Sequence, residues 1–462
     1  MPAIITNKFR VHNAEQFKDS FSSDTFYLGI GRPQAFADNQ AFNDGTDTSP
    51  PTPNDDVGSE YYHYDDLLSA KKVSSTDVSL VIPRRNWTTG TVYDYYRHDY
   101  GNINTAGTTI SADSGATSLY DATFYVVNST FDVYKCIDNN NGAASTVEPT
   151  GNKNTSVFTT SPDNYKWKYM YTLTASEQSN FASTDFIHVS TESTDYSTTD
   201  GAIEHVEVTA AGSGGVDATY SNITIHGDGT GGTATVVVSG NAVTSVTITS
   251  AGSGYTYASV LASDYGNVSG ADIDFIISPE GGHATDCVKE LGGYYVMMNV
   301  DFVQDDGSGD FNVANDFRRI VLLKNPIDSS TGSIGTASTL DATKSLTFSS
   351  VLSYQVDEKI TGSSTGAIGY VVDVVTTSNT TTVRYIQPQF TDQGVDTNGD
   401  LVDFTTSDTV TGAVSTASGT PSSVDTTPEL REDSGDVLYV ENRKPITRAD
   451  DQTENVKLIV EF

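Results

Sequence analysis

The residues best placed to do chemistry are acidic. Asp396-Thr-Asn-Gly-Asp400, with Asp403 beyond, sets oxygen ligands at alternate positions, as a hard cation such as calcium prefers. Leu401 stands where an EF-hand needs glycine, however, and no glutamate follows at the twelfth position. The stretch therefore reads as an Asp/Asn/Gly turn, with no metal expected and Asp396, Asn398 and Asp400 as the only fallback ligands. Arg84 and Arg85 are a basic pair in an acidic chain, suited either to clamping a partner's carboxylate or to closing an internal salt bridge. The histidines at 12, 63, 98, 188, 205, 226 and 283 form no HExxH and no i, i+4 pair, so they read as surface or strand residues. Ser213 and Ser253 lie in Ala-Gly-Ser-Gly, which lacks the first glycine of a nucleophile elbow. Gly227-Asp-Gly-Thr-Gly-Gly-Thr233 resembles a phosphate loop only in its glycines, because no lysine follows. Cys136 and Cys287 are far apart and exclude a disulfide scaffold or a cysteine-based zinc site. Paired carboxylates carry no information among 60 acids. No catalytic residue and no cofactor are expected.

The elements that hold these residues are β-strands. Thr, Val, Tyr and Ser dominate, whereas Leu and Lys are scarce. Alternating stretches such as Thr244–Thr249 and Val456–Phe462 read as strands with one buried face. Gly, Asn, Asp and Ser clusters punctuate them at the spacing of sandwiches and barrels. Two or three short helices are expected. Asn13-Ala-Glu-Gln16 reads as a capping box before Phe17 and Phe21, and Thr174-Ala-Ser-Glu177 as another, before a turn ending near Phe181. Asp65-Asp-Leu-Leu-Ser-Ala-Lys-Lys72 carries acids first and lysines last, as a helix dipole favours.

With 462 residues, the chain has room for about three domains. The 25 Lys and Arg against 60 Asp and Glu give a net charge of −35, which argues against nucleic-acid binding and anionic membranes. No run approaches 18 apolar residues, and Met1–Arg10 lacks the apolar core of a signal peptide, so a soluble protein made in a cytoplasm is expected, with no membrane insertion. From Gly201 the texture turns to Gly, Thr, Val and Ser. Val206-Glu-Val-Thr-Ala-Ala-Gly-Ser-Gly214 recurs forty positions on as Val246-Thr-Ile-Thr-Ser-Ala-Gly-Ser-Gly254, suggesting two related hairpin units. A weaker echo links Lys359-Ile-Thr-Gly362 with Thr409-Val-Thr-Gly412. The organisation expected is mainly β: a discontinuous β-sandwich core over 1–200, 285–328 and 434–462, interrupted by all-β modules at 201–284 and 329–433.

Several blocks, in order, resemble one family. They are Ile4–Arg10, Phe26–Arg32, Val81–Trp87 with Arg84, Arg85 and Trp87, Val133–Asp138, Tyr165–Tyr169 with Trp167, Phe317–Ile327, and Tyr439–Ile446 with Asn442, Arg443 and Pro445, followed by Asp451–Glu454. Together they look like the baseplate wedge subunit of T4-like contractile-tailed bacteriophages, the gene eight product family. That resemblance implies a β-sandwich that dimerises and joins other wedge proteins in the virion tail baseplate, assembled in the host cytoplasm, without catalysis. It makes Arg84, Arg85, Trp87, Trp167, Asn442, Arg443 and Pro445 candidates for structural or interface roles. The modules at 201–284 and 329–433 have no counterpart in it. The alternative is a carbohydrate-binding or carbohydrate-cleaving tail spike, which would show a carboxylate pair flanked by exposed aromatics, usually on a trimeric parallel β-helix.

Overall fold

The computed structural model describes the chain outside residues 1–3, 37–44, 56–62, 105–106, 191–195, 304–311, 313, 389–393 and 447–452. Strand makes up 43% and helix 9%, so the mainly β reading holds. Among the described residues the α-helices are Asn7–Ser20, Ala175–Phe181 and Cys287–Leu291. The chain divides into two compact units: residues 1–16, 79–297 and 459–462, and residues 17–78 and 298–458.

In the first unit, Tyr125–Val127, Asp132–Asp138, Lys166–Thr172 and Thr159–Thr160 form an antiparallel sheet in that order. Its inward positions carry Tyr134, Cys136, Trp167 and Tyr169, which bury one aromatic core with Tyr93 and Tyr165. The helix Ala175–Phe181 follows the expected capping box: Glu177 N–H donates to Thr174 Oγ1, and the Glu177 carboxylate accepts from Thr174 N–H at 2.7 Å.

The repeats at 201–284 are not two separate hairpins. The first strand of copy one, Ile203–Ser213, pairs with the last strand of copy two, Ser269–Ile277. The first strand of copy two, Ala242–Ser253, pairs with the last long strand of copy one, Thr230–Ser239. The turns cross over as well. Gly215 N–H donates to Asn241 O at 3.0 Å, while Gly254 and Tyr255 N–H donate to Asp200 O and Gly201 O at 2.9 and 3.1 Å. Both apolar clusters of this region mix side chains from the two copies, so neither copy has a core of its own.

In the second unit the strands Thr339–Asp341, Leu67–Val73, Phe26–Gly31, Phe317–Lys324 and Asp436–Ile446 form a sheet in that order. Leu67–Val73 corrects the helix expected at 65–72. Leu67, Leu68 and Ala70 are all buried, and both edges of the strand are paired, a position that overrides the weak helix-dipole pattern of the acids and lysines. The first capping box is also displaced, because Asn13–Gln16 lies inside the helix Asn7–Ser20. That helix begins after Thr6, whose Oγ1 accepts from Phe9 N–H. Phe17 and Phe21 do share a face, with ring centroids 5.3 Å apart.

A second sheet runs in the order Ser418–Gly419, Val410–Gly412, Lys359–Gly362, Ile368–Thr376, Thr381–Ile386, Lys344–Phe348, Ser423–Asp425. Its two edge strands are consecutive in the chain, separated only by residues 420–422, which can span roughly 10–14 Å. The sheet therefore curls enough to bring its two edge strands near each other. Leu346, Phe348, Tyr354, Ile360, Val383, Tyr385 and Phe404 fill its interior.

Candidate functional site

The calcium-like stretch folds onto itself. Asp396 Oδ1 accepts from the N–H groups of Asn398 and Asp400 at 2.7 and 3.0 Å, and Asn398 Nδ2 donates to Oδ2 at 3.2 Å. The backbone N–H of Asp400 and then that of Asn398 hold the Asp396 carboxyl below its usual range. This is an Asx turn, and Asp403 points elsewhere, 3.3 Å from Lys344 Nζ. Among the described residues no three His, Cys, Asp or Glu side chains are grouped to hold a metal ion.

The other chemical candidates are dispersed. His188, His205 and His226 lie beside the carboxylates of Glu177, Asp138 and Asp264 respectively, and His283 beside those of Glu204 and Glu290. Cys136 and Cys287 are buried free thiols, and burial pushes both thiols up, away from thiolate reactivity. Ser213 and Ser253 are exposed at the ends of half-buried strands. The glycine-rich loop 227–233 wraps a ring. A Cβ on Gly229 would lie 2.4 Å from Tyr255 Cγ, and one on Gly232 would lie 2.8 Å from the Tyr255 hydroxyl. That hydroxyl is itself bonded to Ile225 O and Gly232 N–H, both at 3.1 Å. Those glycines make room for an aromatic side chain.

The two arginines donate mainly to backbone carbonyls. Arg84 donates to Ser183 O and Asn86 Oδ1, each at 2.9 Å. Arg85 donates to Ala122 O and to Tyr120 O, the latter at 2.9 Å, and its guanidinium lies 4.5 Å from the Tyr125 ring centre. Trp87 Nε1 donates to Ser145 Oγ at 3.1 Å. Trp167 is fully buried and stacks on Tyr165 at 5.4 Å. These four side chains tie loops and strands of the first unit together.

The carboxyl-terminal candidates occupy a sheet edge. Asn442, Arg443 and Pro445 lie on Asp436–Ile446, the outermost strand of its sheet, where proline's missing N–H costs nothing. Asn442 Oδ1 accepts from Arg319 Nε at 3.0 Å, and Arg319 Nη1 reaches both Asp66 oxygens at 2.8 and 2.9 Å. Arg443 lines a groove of about 200 Å³ with Glu441, Glu454, Lys457, Phe317 and Ile446. Residues 451 and 452 of the last family-like block lie outside the described residues.

Sequence reasoning missed Arg97. The repeat region 201–284 contains no Lys or Arg, so any such partner for its carboxylates lies elsewhere in the chain. Buried Arg97 supplies one. It donates to Asp99 at 2.9 and 3.0 Å, to Asp274 at 2.8 Å and to Glu207, while Tyr95 Oη donates to the same Glu207 oxygen at 2.7 Å. Burial opposes charge on Asp99, but Arg97 outweighs it and holds the carboxyl below its usual range. Nearby, Lys135 and Glu290 form a buried pair, and His283 Nε2 lies 3.0 Å from Glu204. Burial pushes the Glu204 carboxyl up to about 7. The signal available in the sequence was the contrast between an all-acidic repeat and a basic residue in an aromatic run, Tyr95-Tyr96-Arg97.

Residues 3–150 match the family model Phage-Gp8, described as Bacteriophage T4, Gp8. The resemblance read from the blocks at 4–10, 26–32, 81–87 and 133–138 is thereby shown in that part of the chain, whereas the later blocks fall beyond the matched residues. No curated protein matches the chain.

Proposed function

We propose that this chain, with its Phage-Gp8 segment at 3–150, is a structural subunit of a bacteriophage tail baseplate wedge that works through protein–protein contacts and without catalysis. The family match carries this reading. Its supports are the dispersed histidines, the buried thiols, and arginines and tryptophans that hold the chain's own loops. The subunit is a homodimer that joins other wedge proteins, located in the virion baseplate after assembly in the host cytoplasm. Asp436–Ile446 is the contact surface of choice, since its outer edge is unpaired among the described residues and such an edge can add a strand from a neighbour. The strands 201–284 and 329–433 are modules inserted into the family core.

The spike alternative has less support. The long strand pairs of the repeat region, of the aromatic sheet and of the sheets in the second unit are antiparallel, which is not the geometry of a parallel β-helix. Fractionating purified particles tests the proposal. This chain should be found with baseplates after tails are dissociated. Recovery only with fibres or spikes, or release of sugar from host polysaccharide by the purified chain, would overturn it.

A further inference from the structure

The weak echo in the second unit is an internal two-fold. Lys359–Gly362 and Val410–Gly412 pair antiparallel with Thr361 opposite Thr411, so the symmetry axis passes through that pair. Equivalent atoms make equivalent bonds fifty positions apart. Gly362 N–H donates to Ala367 O at 2.8 Å, and Gly412 N–H to Ala417 O at 2.9 Å. Ala367 N–H donates to Thr365 Oγ1 and Ala417 N–H to Ser415 Oγ, both at 3.1 Å. The turn residues Gly366 and Thr416 both have positive φ, at 75° and 58°.

The acids that begin the two copies are exchanged between them. Glu358, which begins the first copy, accepts from Val414 N–H, Ser415 N–H and Ser415 Oγ of the second, at 2.9, 2.8 and 2.6 Å. Asp408, which begins the second, accepts from Ser364 N–H, Thr365 N–H and Thr365 Oγ1 of the first, at 2.8, 2.9 and 3.0 Å. Both carboxylates are buried. Each also fixes its own strand: Gln355 N–H donates to Glu358 at 2.7 Å and Thr405 N–H to Asp408 at 2.8 Å. The strand glycines exist for this exchange. A Cβ on Gly362 would lie 2.8 Å from the Asp408 carboxyl, and one on Gly412 would lie 2.6 Å from both Glu358 oxygens.

We infer that turns 363–367 and 413–417 are a reciprocal latch, each held closed by the carboxylate that begins the other copy, so that they open together. A buried carboxylate that loses the turn amides is left underbonded, which loosens the strand it begins, and that strand leads directly into the other turn. Cross-bonds from Ser363 N–H to Thr409 O at 3.1 Å and from Ala413 N–H to Lys359 O at 2.9 Å complete the circuit. The latch presents both turns, with exposed Val414 at the tip of one, as a single rigid surface. It does not depend on where the chain sits in a virion.

Amide hydrogen exchange on the full chain tests the coupling. Asp408→Asn should speed exchange at Ser364 and Thr365 and also, by about tenfold or more, at Val414 and Ser415, which Asp408 does not touch. Glu358→Gln should do the mirror image. If each variant moves only the turn its own carboxylate holds, the latch is wrong. Should either variant lose protection throughout the unit, Thr365→Ala and Ser415→Ala make the same comparison with both carboxylates in place.

Discussion

Arg97 Nη2 donates to Asp274 Oδ2 at 2.8 Å, so one guanidinium outside the repeat region grips the last strand of its second copy. The same guanidinium holds Glu207 on the first strand of the first copy. Because those two strands pair with each other, Arg97 clasps the point where the exchanged copies close. The repeat region is thus fastened to the rest of its unit by charge as well as by the two chain crossings. Those crossings are adjacent: Thr198 N–H donates to His283 O at 2.9 Å.

Replacing Arg97 by Met should cost about 3 kcal/mol or more, because it leaves three carboxylates facing one another without a cation. Chemical denaturation of the variant checks this. The same reasoning bears on replacing residues 201–284 by a short Gly/Ser linker. The shortened chain is expected to fold, with Arg97 keeping Asp99 and the Tyr95 hydroxyl, so Arg97→Met should cost less there than in the full chain, where three carboxylates lose their cation. If the cost is the same in both, Glu207 and Asp274 draw nothing from Arg97.

Thr416 holds φ of 58° where its symmetry mate is Gly366. A β-branched residue is strained there, whereas glycine is not. Thr416→Gly should therefore raise stability by about 0.5–1 kcal/mol, and Gly366→Thr should lower it by a similar amount. No neighbour lies within 4 Å of a Cβ at Gly366, so the second change brings no clash at that atom. Paired melting curves decide the matter.

Glu204 sets a pH dependence of definite sign. Burial raises its carboxyl to about 7 from an unfolded value near 4.5, so it contributes stability below 4.5 that is lost as pH rises to about 7. Buried His283, held well below its usual range by burial and then by Lys135, acts oppositely as pH falls through 6.5. Comparison with Glu204→Gln isolates the first effect. The melting temperature of the native chain minus that of the variant should fall between pH 5 and pH 7.5. A difference that is flat or rises would place the Glu204 carboxylate in contact with a cation instead.

Asp396 already receives two backbone N–H groups on one oxygen, which leaves little for a cation. EDTA and added calcium should each leave the melting temperature unchanged, as linkage requires of a chain that binds no ion in its folded state. A fall with EDTA that calcium reverses would promote Asp396, Asn398 and Asp400 to ligands.

Much of this was legible in the residues. Thr174 and Glu177 announced their helix because a capping box depends only on local spacing. Both repeats were visible, since similarity along the chain needs no knowledge of contacts. What stayed hidden was pairing. Nothing in Val206–Gly214 or Val246–Gly254 says that each copy completes the other, nor that Glu358 serves the turn at 413–417. Asp65–Lys72 misled for a related reason: its charges fit a helix end, but Leu67 and Leu68 sit in an interior strand whose neighbours lie far away in sequence. Arg97 lay in an unremarked aromatic run, and only the folded repeat shows what it holds.

The position of the chain in the particle is the decisive observation. A reconstruction of the intact tail should contain baseplate density in two-fold pairs that accepts each of the two units, fitted separately, with Asp436–Ile446 at a subunit contact. Density for these units only in a trimeric spike, or nowhere in the tail, would contradict it.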